Sequence, residues 1–156
     1  MLARSGFVVK SQRGAGISFG MTASRVMVQV NHQQASDDEW AQLVESVRSY
    51  ADVLIGIVIL TPSGKGPDAA QRKQIAAVAE KFSKSFRGVA LLTDSLMVRS
   101  ALTAIRWLNP RGPVAEPFAL HDIEGALGFL KLNAEQKIEV RALFRELERP
   151  MLAASG

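Results

Sequence analysis

The chain has 156 residues and a formal net charge of +4, with 47% hydrophobic and 22% charged residues. That length supports one domain with a sizeable core, and the balance is that of a globular chain rather than a disordered one. With no cysteine and two histidines, His32 and His121, disulfides, thiolate metal sites, cysteine nucleophiles and histidine-rich metal centres are excluded.

The longest apolar run is VLIGIVIL (Val53 to Leu60), too short for a membrane-spanning helix. The start, MLARSGFVVK, lacks the apolar stretch of a signal peptide, so a soluble cytoplasmic protein is expected. GFVV (Gly6 to Val9) and GISFG (Gly16 to Gly20) read as two strands of a hairpin, with SQRGAG turning between them. RVMVQVNH (Arg25 to His32) reads as a third strand, completing an antiparallel meander. In SDDE, Ser36 and Glu39 have capping-box spacing, and Trp40, Leu43, Val44 and Val47 form the buried face of the helix that follows.

VLIGIVIL is apolar on both faces, as in a central parallel strand covered on each side. After the loop TPSGKGPD, Asp68 and Gln71 repeat the capping spacing. The next helix is expected to bury Ile75, Val78, Ala79, Phe82 and Phe86, and to stop at Gly88. VALLTD (Val89 to Asp94) is a second buried strand. Asp94 or Ser95 caps a helix in which Val98, Ala101, Leu102, Ile105 and Leu108 share a face, and NPRGP (Asn109 to Pro113) ends it. EPFAL (Glu116 to Leu120) is a short strand, followed by a helix with Ile123, Ala126, Leu127 and Leu130 inward. Asn133 and Gln136 start a last helix, whose expected apolar side is Ile138, Leu143, Phe144 and Leu147. Strands alternating with helices imply right-handed crossovers and a sheet with helices packed on it.

This order resembles the STAS domain, and more closely the SpoIIAA-like proteins related to anti-sigma-factor antagonists. The residues that carry the resemblance are VLIGIVIL with its Ser-Gly loop and helix, GVALLTDS, VRSALTAIRWLNP, and the ending EPFALHDIEGALGFL, together covering 25–132. The fold it implies is a mixed, largely parallel α/β sheet with an N-terminal antiparallel meander and four to five helices. Residues 133–149 are an additional C-terminal helix within a single domain. In the family, a serine or threonine in a D-x-[ST]-G-like loop after the central strand is phosphorylated by a partner kinase, which switches partner binding. Ser63-Gly64 is the pair that matches by position, making Ser63 the candidate phosphoacceptor. Here Thr61 and Pro62 precede the serine, the aspartate of the pattern is absent, and KGP lengthens the loop.

The same loop is not a nucleotide-binding P-loop. That motif needs a hydroxyl residue after Gly-Lys, whereas Lys65 is followed by Gly66 and Pro67, and the earlier glycine is missing. A looser anion site at the helix start, with Lys65 and Arg72, competes with Asp68, which already occupies that helix end. TDSLMVRS (Thr93 to Ser100) lies at the carboxyl end of a strand, where open α/β sheets bind ligands. Arg99, Arg106 and Trp107 on the following helix form a candidate docking surface, against the alternative that Trp107 packs on the sheet edge. His121 beside Asp122 and Glu124 is explained by its place before a capped helix, and His32 has no predicted catalytic neighbour. The basic residues of the helix after Asp68 lack the motifs of a specific nucleic-acid binder.

The resulting expectation is a non-enzymatic protein–protein interaction module with a regulatory or scaffolding role. It would meet a protein partner through Thr61, Gly64, Lys65, Asp94, Ser95, Arg99, Arg106 and Trp107, with self-association as a further option. No cofactor, metal or nucleic-acid partner is expected. The alternatives are a small-ligand or lipid-binding α/β domain and an enzyme of unrecognised type.

Overall fold

The structure, a computed structural model, describes residues 9–13, 16–62, 66–108 and 110–148. In chain order the elements are β1 (Val9–Arg13), β2 (Ile17–Met21), β3 (Val26–Asn31), α1 (Asp37–Tyr50), β4 (Gly56–Leu60) and α2 (Ala69–Val78). A 3-10 turn (Ala79–Lys81) follows, then β5 (Val89–Leu92), α3 (Leu96–Leu108), β6 (Ala115–Phe118), α4 (Ile123–Phe129) and α5 (Ala134–Glu148).

The six strands lie in sequence order, with β1–β2–β3 antiparallel and β3 to β6 parallel. The three parallel crossovers all advance the same way across the sheet. Crossovers of one hand therefore put α1, α2 and α3 on one face. Strand alternation divides the core accordingly. Val26, Val28, Val30, Val58, Ala90 and Leu92 face α4 and α5, where Leu127, Leu130, Phe144 and Leu147 close that layer. Met27 and Ile57 face the opposite way, toward Trp40, Leu43, Val44 and Val47 of α1. Leu91 packs on Val98 and Leu102 of α3. The meander, the parallel strands and the buried faces of α1 and α4 are as expected from the sequence. At its far edge β6 is only four residues long and contains Pro117, which blunts that edge against further pairing.

Several boundaries differ, each for a tertiary reason. The first strand is Val9–Arg13 rather than GFVV, of which Gly6 to Val8 lie outside the described residues. Gln12 and Arg13 pair with Phe19 and Ser18, so a polar segment read as a turn gains a ladder for its backbone groups. The strand expected over Val53 to Leu60 begins at Gly56, because the N–H groups of Val53 and Leu54 both bond the Tyr50 carbonyl at the end of α1 (3.0 Å each). The helix after Asp68 ends at Val78, well before Gly88. Phe82 is extended (φ −67°, ψ 142°), and the Ser83 hydroxyl accepts from Ser85 N–H at 3.2 Å. Such local side-chain bonds compete with a helix ladder. Phe82 and Phe86 still bury their faces, stacked with centroids 4.0 Å apart. Ile138 (65% exposed) and Leu108 (48%) point outward. In α5 Val140 takes the inward place beside Leu143, Phe144 and Leu147, two positions and about 200° from Ile138 around the helix.

Both capping boxes are present as read, and the start of α5 adds a third reciprocal pair. Ser36 with Glu39 and Asp68 with Gln71 are reciprocal pairs, and Asn133 with Gln136 exchanges bonds of 2.8 and 2.9 Å. Glu39 also reaches across to β2, accepting from the N–H groups of Gly16 (2.9 Å) and Ile17 (3.4 Å). Burial pushes its carboxyl up, but the donors of Gly16, Ser36 and Ile17 outweigh burial and hold the pKa below the ordinary 4.5. A depressed carboxylate stabilises the fold above its unfolded pKa, and that contribution disappears as pH falls through the folded value. Glu39→Gln is therefore expected to be less stable than the native chain at pH 7 and equal to it once pH drops below the folded pKa. Urea unfolding across a pH series checks this; a gap that persists unchanged into acid would refute the role of the charge.

Candidate functional site

The residues flagged between Asp94 and Trp107 converge on α3 and its start. Ser95 is the cap, its hydroxyl accepting from Val98 N–H (3.3 Å), while its own N–H donates to Thr93 Oγ1 (3.1 Å). Asp94 instead accepts from Leu120 N–H (3.0 Å), tying the loop after β6 to the end of β5. Arg99 donates to the Thr93 carbonyl (3.2 Å), and Arg106 lies 3.6 Å from Glu116 of β6. The inward side of α3 carries Val98, Ala101 and Leu102.

The outward side of α3 is where expectation and structure part. Trp107 is 81% exposed, so it does not pack on the sheet edge. Leu96 (80% exposed), Met97 (57%) and Leu108 (48%) share that side, at the helical spacing of one face. Ser100 and Thr103 stand between them. Leu96 and Met97 were missed from the sequence because one apolar stripe already accounted for the helix. The overlooked signal was a second stripe on a helix with no acidic residue, Leu96 to Leu108.

Thr61 belongs to a different construction, at the carboxyl ends of β3 and β4. Gln29 Nε2 donates to Asn31 Oδ1 (2.7 Å), and Asn31 Nδ2 donates to Thr61 Oγ1 (2.9 Å). Gln29 is 5% and Thr61 2% exposed, so this polar file sits within the helix-covered face of the sheet. Sequence reading singled out Thr61 alone, since Asn31 on the neighbouring strand becomes its partner only through register.

Ser63, Gly64 and Lys65 lie outside the described residues. The loop becomes described at Gly66, whose φ of +78° suits glycine. A Cβ there would come within 3.3 Å of the Ala101 side chain, so the loop rests directly on α3. Arg72 donates to the Pro67 carbonyl (2.9 Å) and Asp68 accepts from Gln71 N–H (2.8 Å), so the helix start and Arg72 of the looser anion site are engaged within the turn. His32 has a neighbour the sequence did not suggest, the Ser18 hydroxyl at 3.0 Å. Ser18 is 1% exposed, and a nucleophile must be reachable by its substrate. His121 is exposed beside Asp122, the cap of α4. Among the described residues, no helix is long and apolar enough to cross a membrane.

The crystal structure of an uncharacterized DUF3478-family protein from Shewanella loihica PV-4, described as having a SpoIIAA-like fold, matches with a TM-score of 0.54. The two are 19% identical, and the match covers 77% of this chain and 98% of that one. The likeness shows the fold, a SpoIIAA-like mixed α/β sheet. No family model matches the chain, and no curated protein does.

Proposed function

We propose that this SpoIIAA-like chain is a non-enzymatic cytoplasmic interaction module that docks a protein partner through the outward face of α3. The observation that supports this reading is Trp107, 81% exposed beside Leu108 and in line with Leu96 and Met97. Exposed aromatic and aliphatic side chains on one helix are the usual centre of a docking patch, and buried aromatics carry most of its energy. The stretch LMVRSALTAIRWLNPRGPV (96–114) contains Arg99, Arg106 and Arg111 and no acidic residue. A partner with an apolar groove rimmed by carboxylates complements it.

Trp107→Ala is expected to weaken capture of that partner from the native cell by at least about tenfold. Because Trp107 touches so little of its own fold, its unfolding free energy should stay within about 0.5 kcal/mol of the native chain. Quantitative affinity capture, read beside urea unfolding, measures both. Capture that survives both Trp107→Ala and Leu96→Asp would reject the face as the docking site. Binding only to anionic vesicles, with no protein captured, would replace the protein partner by a membrane surface. Control by phosphorylation at Ser63 is what the family resemblance implies. Mass measurement of the native protein before and after phosphatase tests it, an unchanged mass removing Ser63 from the reading.

A further inference from the structure

We propose that the cavity between the sheet and helices α1, α2 and α3 binds a small neutral molecule of single-ring size that carries a hydroxyl or amide group. The cavity measures about 150 Å³. Close-packed interiors hold few voids larger than a water molecule, and an apolar cavity of about this volume accommodates benzene. Ile59 of β4 and Leu102 and Ile105 of α3 are among its apolar walls. One end is different. Gln29, Asn31 and Thr61 line it together, at the carboxyl ends of parallel strands, where open α/β sheets place their ligands.

The chemistry of the ligand follows from how the polar file is wired. Asn31 is used at both ends of its amide, accepting from Gln29 and donating to Thr61. Thr61 is left with its hydroxyl hydrogen, and Gln29 with its side-chain carbonyl, neither of which has a partner among the described residues. A donor and an acceptor are therefore open toward one apolar space. An alcohol or an amide can answer both at once, since each carries an acceptor and a donor. Among the described residues, a carboxylate would meet no cation at this end. Arg106 is the one charged side chain among the described residues that lines the cavity, and it sits near the far end of α3, beside Glu116. An anion buried next to the file would be uncompensated.

A way in is also present. A wider surface groove of about 550 Å³ runs between the segment after α2 and the turn at 110–113. It shares Ala79, Phe82, Gly112 and Pro113 with the cavity. This site is separate from the docking face, because α3 roofs the cavity with its inward side.

The test is a titration of the isotope-labelled full chain with benzyl alcohol, toluene and benzoate, read by amide shifts in two-dimensional NMR. Benzyl alcohol is expected to give saturable shifts at Gln29, Asn31 and Thr61 and to bind more than about tenfold tighter than benzoate. Thr61→Val, which keeps the shape and removes the hydroxyl, should weaken benzyl alcohol roughly fivefold and leave toluene unchanged. Ala76→Leu, which fills the cavity, should abolish both; if that variant does not fold, Thr61→Val carries the test alone. Absence of saturable shifts with all three probes would overturn the proposal. So would benzoate binding as tightly as benzyl alcohol, or Thr61→Val leaving benzyl alcohol unaffected.

Discussion

Leu147→Ala is expected to lower the unfolding free energy by about 2–5 kcal/mol. Leu147 is 0% exposed and joins Val140, Leu143 and Phe144 of α5 in the layer that covers β3. The truncation removes buried methyl groups and leaves a hole among side chains of the core layer packed on the sheet. Relaxation can fill only part of such a hole, hence the upper end of the range. Urea unfolding should show a lower midpoint with an unchanged slope. Ile138→Ala on the same helix, where the side chain is 65% exposed, should stay within about 0.5 kcal/mol. Equal costs for the two would mean that α5 does not pack as described. The result bears on domain organisation, since residues 133–149 read from sequence as an addition to a core spanning 25–132. We propose that they belong to one cooperative unit. The bond from the Ser24 hydroxyl to Glu139 (2.7 Å) supports this by tying the β2–β3 turn to α5.

Gly88→Ala should be as damaging, for a backbone reason. Gly88 has φ +139°, a region that only glycine occupies without strain, and forcing another residue there costs about 1–3 kcal/mol. The added Cβ would also stand 2.7 Å from the Val114 carbonyl oxygen and 3.2 Å from the Phe129 ring. That oxygen cannot easily retreat, because it accepts from Val89 N–H (2.9 Å) at the start of the β5–β6 ladder. Overpacking at such a place adds a further cost of about 1–3 kcal/mol. Gly128→Ala is the matched control. A Cβ at Gly128 meets nothing within 4 Å, and alanine in a helix gains about 0.5–1 kcal/mol over glycine. The two substitutions should therefore move the urea midpoint in opposite directions. A Gly88→Ala chain as stable as the native one would contradict the close approach of β5 to Val114.

Gly88 also illustrates where sequence reading stops. Read along the chain, it looked like the end of a helix running from Asp68. In the fold the helix has already ended at Val78, and the glycine is required by a neighbour 26 positions further on, Val114. Trp107 is a second instance. Its identity could be read from the chain, but burial depends on what stands opposite. The inward side of α3 was already filled by Val98, Ala101 and Leu102.

What the sequence by itself determined is local and periodic. The β-branched alternation of VMVQV, the two-sided apolar run of β4, and the capping pairs Ser36–Glu39, Asp68–Gln71 and Asn133–Gln136 each express a preference that a few neighbouring residues satisfy among themselves. Together they were enough for the SpoIIAA-like order of strands and helices. Strand register and helix docking were decided only in three dimensions. Register set Thr61 beside Asn31, drew Ser18 to His32, and brought Val114 against Gly88. Docking gave α3 one buried side and left Leu96, Met97 and Trp107 outside. The reason is physical: hydrogen-bond reach and side-chain burial depend on atoms that are close in space, and the residues that supply them lie on different elements.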